Sequence, residues 1–146
     1  MERSPRTIYL IWRASAKIMN LIDNPASGTG LSLLKYVVLS FVKGRQGMTS
    51  ADLARRIGVS PQSMNQTVTA MENAGLLRKG REKTNLKSRP LELTEDGLAI
   101  LDRADEAIDD IEKTVLGDLS GDELVQFRTW IGDIIASSRK QLGDIG

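Results

Sequence analysis

No cysteine and no histidine occurs among the 146 residues of this chain, and its aromatic residues are two tryptophans, two tyrosines and two phenylalanines. Without cysteine there is no disulfide framework, no thiolate metal site, no cysteine nucleophile and no thiol redox sensing. Without histidine the commonest general base and transition-metal ligand is gone, leaving carboxylates, lysine and tyrosine for chemistry. An enzyme is therefore not expected, and neither is a metal or another cofactor. Long apolar runs are lacking too: Leu31 to Val42 is the most apolar stretch, interrupted by Lys35 and Tyr36 and short of the roughly 18 residues a membrane span needs. The start, Met1 to Arg6, is polar and basic and does not read as an export signal. A cytoplasmic location away from membranes is the expectation.

What is present is a divided charge. The net charge is +1, yet residues 43–89 hold ten Lys or Arg against three Asp or Glu, and residues 90–146 hold five against fourteen. A segment of +7 suits a polyanionic partner, and a segment of −9 would be repelled by one, so the two should face different ways.

Apolar periodicity divides the chain into elements. Ile8, Ile11, Trp12, Ile18, Met19 and Ile22 fall at helical spacing until Asn24 and Pro25. After the loop Pro25 to Gly30, the stretch Leu31 to Val42 is apolar nearly all round, as in a helix enclosed by others, and should end before Gly44. Thr49 with Asp52 three residues on reads as a capping box opening a short helix through Ile57, closed by Gly58. Ser60 and Pro61 start the next helix, in which Met64, Val68 and Met71 mark the buried stripe and Gly75 the end. Two short strands are expected over Leu76 to Lys79 and Pro90 to Leu93. Thr94 begins a long helix with the stripe Leu101, Ala104, Ile108, Ile111 and Val115, and Gly117 stops it. Ser120 and Glu123 cap a last helix carrying Leu124, Phe127, Ile131 and Ile134.

Two short helices joined through a glycine, the second begun by Ser-Pro, form the helix-turn-helix pattern, whose second helix enters the DNA major groove. A hairpin follows with Arg78, Lys79, Arg81, Lys83, Lys87 and Arg89 against Glu82, a cationic finger able to reach phosphates or the minor groove. The segment Val59 to Leu77, VSPQSMNQTVTAMENAGLL, resembles the recognition helix of the MarR family of bacterial regulators, and Leu91 to Leu98, LELTEDGL, resembles that family's passage from the wing into its long helix.

The resemblance implies a mainly α fold with a small β-hairpin, a single MarR-like domain over 1–146. Its winged helix-turn-helix lobe would lie at 31–93 and its helical dimerisation region at 7–24 and 95–142. A homodimer on a pseudo-palindromic double-stranded DNA site is implied, commonly a repressor released by a small aromatic or anionic effector. In the recognition helix the candidate DNA contacts are Ser60, Pro61, Gln62, Ser63, Asn65, Gln66 and Thr69, and in the wing the six cations named above. Many relatives carry Arg where this chain has Gln66 and Ala70, so bases must be read through amides and hydroxyls, with adenine the favoured partner of Asn and Gln. At Asn85 to Lys87 the family's usual Asp-Arg-Arg is replaced by Asn-Leu-Lys.

Trp12, Met19 and Tyr36, with Trp130, are the candidate lining of an effector pocket, set against the plainer reading that they are core. The acidic residues Asp102, Asp105, Glu106, Asp109, Asp110 and Glu112 read as the solvated side of a helix, not as a catalytic or calcium site. The competing function is a winged-helix module that binds proteins and no DNA, against which the +7 segment argues.

Overall fold

In the computed structural model, residues 5–80 and 89–143 are described. The order is α1 (Thr7–Asp23), a 3-10 turn (Pro25–Ser27), α2 (Leu33–Gly44), α3 (Ser50–Ile57), α4 (Pro61–Asn73), β1 (Leu77–Lys79), β2 (Leu91–Leu93), α5 (Glu95–Leu116) and α6 (Gly121–Gly143). The strands pair antiparallel with Arg78 opposite Glu92. Residues 1–108 form one compact unit and residues 109–146 another.

Local chemistry sets the boundaries. Ser32, extended at the head of α2, accepts a hydrogen bond from the Lys35 N–H, and Asp23 at the end of α1 accepts another from the Leu33 N–H at 2.7 Å. These two acceptors start α2 at Leu33 rather than Leu31, and the helix runs on to Gly44, past its expected end. Thr49 and Asp52 exchange both bonds of a capping box, and Gly58 closes α3 in the left-handed conformation at φ 81°, where a side chain would be strained. Ser60 caps α4 with Pro61 in its first turn.

In the first unit Val38 and Leu39 of α2, Leu53 of α3, Met64 and Met71 of α4, and Leu101 of α5 have almost no exposure and form the centre of one core. The stripe expected for α4 is thus the buried one, with Val68 joining it. The strand pair is fastened to this core from both ends. The Leu91 N–H donates to the Met48 carbonyl at 2.7 Å, and the Thr94 N–H to that of Leu76 at 3.2 Å. Thr94 also caps α5, accepting from the Gly97 N–H at 3.0 Å while its hydroxyl donates to the Gly75 carbonyl.

α1 buries only Ile22 of its stripe, leaving Ile8, Trp12 and Met19 exposed. In the second unit the expected cap of α6 is formed, with the Ser120 N–H on Glu123 Oε2 at 2.8 Å and the Glu123 N–H on Ser120 Oγ at 3.3 Å. Yet α6 buries no residue: Val125, Phe127, Trp130, Ile131, Ile134, Ile135 and Leu142 are all exposed in the single chain.

Candidate nucleic-acid interface

α3 and α4 pack directly on each other around Leu53, Ala54, Met64 and Val68. Burying that side of α4 turns its polar side outward. Gln62, Asn65, Gln66 and Thr69, with Ala70 and Asn73, line one open groove of about 670 Å³. Four of the seven expected recognition-helix residues therefore share a single exposed surface. Pro61 is exposed in the first turn. Ser60 Oγ accepts from the Ser63 N–H at 3.1 Å and so caps the helix. Ser63 is half-buried and outside the groove. The groove offers amide donors and acceptors, the chemistry that matches base edges in a major groove.

Several contacts were not foreseen in the sequence. The Ser50 hydroxyl, at the start of α3, donates to Asn65 Oδ1 at 2.6 Å. In the hairpin, Arg78 Nε donates to Glu92 Oε2 at 3.1 Å across the strand pair. Hence Arg78 is not an unopposed cation, although it is exposed. Lys79 is exposed beside it. Arg89 is exposed as well and donates from Nε to the Gly80 carbonyl at 3.0 Å, tying the two ends of the wing together. At Gly80 an added Cβ would stand 2.7 Å from Glu92 Oε1, the end of an exposed side chain that can move aside. Arg81, Lys83 and Lys87, together with the Asn85-Leu86-Lys87 run, lie outside the described residues.

Below the hairpin, Arg78, Lys79, Arg89, Pro90 and Leu91 share a cleft of about 790 Å³ with Val42, Lys43 and Leu98. Lys43 reaches Asp102 at 2.9 Å and Asp105 at 4.0 Å, and the hydrogen bond to Asp102 raises its pKa above the ordinary 10.5. Tyr36 donates its phenol to the same Asp105 at 2.8 Å. So part of the acidic face of α5 is paired with α2 while remaining open to solvent.

The candidate effector residues are not gathered in one place. Tyr36 lines a hollow of about 300 Å³ with Val37, Ser40, Phe41, Gly44 and Arg45, to which Trp12 and Met19 do not belong. Trp12 and Met19 are exposed on α1, and Trp130 is exposed on α6. None of the described helices is long and apolar enough to cross a membrane.

A family model described as MarR family matches residues 29–86, the stretch from the loop before α2 into the wing. Similarity extends well past it: the HTH-type transcriptional repressor Rv2887 of Mycobacterium tuberculosis is 30% identical over 120 residues, 82% of this chain and 86% of that protein. The chain belongs to the MarR family. Solved structures of Rv2887 are similar in three dimensions. Its complex with DNA matches at a TM-score of 0.69 and 27% identity, covering 90% of this chain and 98% of that one. Its complex with salicylic acid gives 0.69 and 27%, covering 92% and 99%. Within this MarR family chain, the Ser-Pro start of α4 and the Thr94 to Gly97 entry into α5 have physical reasons in the caps described above.

Proposed function

We propose that this protein is a homodimeric, cytoplasmic transcriptional repressor that binds a pseudo-palindromic double-stranded DNA site and leaves it when a small aromatic carboxylate binds. It is a regulator and not an enzyme. The observation that carries this reading is the amide-lined groove of α4 beside the cationic strand pair. A helix of this kind reads bases while the flanking cations hold phosphates. Rv2887, named as a repressor and solved with DNA and with salicylic acid, supports both halves of the proposal.

Dimerisation is supported by the apolar residues that α1 and α6 leave exposed. Apolar residues exposed in such number along a helix belong in an interface. In the proposed arrangement 31–93 is the DNA-binding lobe, and 7–24 and 95–142 build the dimer. Gln62, Asn65, Gln66 and Thr69 read bases; Pro61 and Ser63 approach the backbone and Ser60 serves the helix start. Lys79, Arg89 and the wing cations Arg81, Lys83 and Lys87 meet phosphates, with Arg78 restrained by Glu92. Trp12 and Met19 reach a ligand together with Tyr36 only once a second copy covers α1.

The test is fluorescence anisotropy on labelled genomic duplexes over a range of salt, with and without salicylate. We expect an affinity that falls steeply with salt and a further fall on adding salicylate. Weak, salt-insensitive binding to every duplex would favour a protein-binding winged-helix module instead.

A further inference from the structure

Ser50 is the first residue of α3 and half-buried, whereas Asn65 is exposed on α4. Their bond, Ser50 Oγ to Asn65 Oδ1 at 2.6 Å, spans fifteen residues. Neither helix requires it. The start of α3 is already satisfied by the Thr49–Asp52 capping box, and α4 by Ser60. What the bond changes is the amide, which on an open helix face would otherwise sample several rotamers. The two arms of an amide diverge. With the oxygen turned to α3, the Nδ2 amine is the arm left for a partner in the groove.

Resting on the reading that α4 occupies the major groove, we propose that Ser50 is a positioning residue that presents Asn65 to DNA as a hydrogen-bond donor. A donor at a base edge donates to purine N7 or thymine O4 and opposes the cytosine amine, because two facing donors leave each other unpaired. Asn65 then excludes cytosine on the contacted strand and takes adenine and guanine alike. This differs from the bidentate adenine pair expected of an unrestrained asparagine, which turns both arms of the amide to the base, whereas here the oxygen is turned to Ser50.

The experiment compares wild type, Ser50→Ala, Ser50→Thr and Asn65→Ala in duplex selection from a random library. Competition binding at fixed salt follows, with one base pair changed at a time. Alanine suits a helix start whose capping box is intact, so thermal unfolding of Ser50→Ala should match wild type. Wild type and Ser50→Thr should reject cytosine at one position in each half-site by roughly 5- to 150-fold. Ser50→Ala should reject it by no more than about twofold while keeping its affinity for random DNA. Where the selected base is a purine, its 7-deaza analogue should weaken wild type, whereas Ser50→Ala, its amide free to pair bidentately, should favour adenine over guanine. Full cytosine rejection by Ser50→Ala, alongside its loss in Asn65→Ala, would overturn the positioning role and leave base reading by α4 intact. An Asn65→Ala protein with the wild-type preference at every position would overturn base reading by this residue, and with it the inference.

Discussion

Gly97 lies so close to Leu76 that a Cβ added to it would stand 2.0 Å from the Leu76 carbonyl oxygen. Two hydrogen bonds set that spacing, the Thr94 N–H on the Leu76 carbonyl and the Gly97 N–H on Thr94 Oγ1. The entry to the wing and the first turn of α5 are thereby held as one rigid corner. A close approach of backbone to backbone is a place where only glycine fits. Gly97→Ala should therefore cost roughly 1 to 3 kcal/mol of stability, read as a lower melting temperature. Gly121→Ala, where an added Cβ meets nothing within 4 Å, is the control and should melt at or above the wild-type temperature.

The Arg78–Glu92 pair leads to a prediction of opposite sign. Both side chains are substantially exposed, so the pair contributes little to stability. Its effect is on charge at the wing. Glu92→Gln should tighten binding to any duplex and steepen the dependence of log affinity on log salt by about 1, as one more cation meets phosphate. Lys79→Ala should weaken binding more than Arg78→Ala. Anisotropy titrations at four salt concentrations measure both effects.

Asp52 supplies a pH dependence of stability. Its carboxyl is held below the ordinary 3.8, first by the Thr49 hydroxyl and then by the Thr49 N–H, against a smaller opposing effect of burial, with Arg55 also adding to the fall. Because the folded value is the lower one, the stabilisation is complete above pH 3.8 and is lost as pH falls through the folded value. Asp52→Ala should lose roughly 1 kcal/mol at neutral pH, the usual worth of such a cap. The gap from wild type should close in acid. Paired denaturation curves from pH 7 down to about 2 would show the two stabilities converging only below the ordinary carboxylate range.

Much of this architecture was legible in the sequence because its signals are local. Thr49 with Asp52, Ser60 with Pro61, and Gly58 act within one helical turn of themselves. Met64, Val68 and Met71 mark the buried side of α4 by spacing alone. The start of α2 was misplaced by two residues, since Leu31 and Leu33 are equally apolar. The choice between them is made by Ser32 and by Asp23, an acceptor ten residues before Leu33. The Arg78–Glu92 pair depends on the hairpin register, and the Ser50–Asn65 bond on how α3 crosses α4, neither of which has a period to read. Trp12 and Met19 looked like pocket or core from their type and spacing, but in the single chain they are exposed.

The uncovered apolar face of α6 gives an assembly prediction. Trp130→Glu combined with Ile134→Glu places two charges among Phe127, Ile131 and Ile135, where a dimer interface would have to desolvate them. Sedimentation velocity should show the wild type as a dimer and the double variant as monomer or aggregate, with DNA affinity lost alongside. Removing residues 120–146 should act in the same direction. A truncated chain that stays monomeric, soluble and tightly bound to DNA would place the interface elsewhere.

The most direct test of sequence-specific DNA reading by α4 is a competition measurement with Gln66→Ala at fixed salt, against a selected site and against random duplex. Gln66 lines the open groove and is exposed, so the change removes an amide without disturbing the core. We expect a loss of roughly 1 to 3 kcal/mol on the selected site and almost none on random DNA, so that the ratio between the two narrows. Equal losses on both duplexes would contradict base reading by Gln66 and leave α4 as a helix that positions the protein on DNA without reading its sequence.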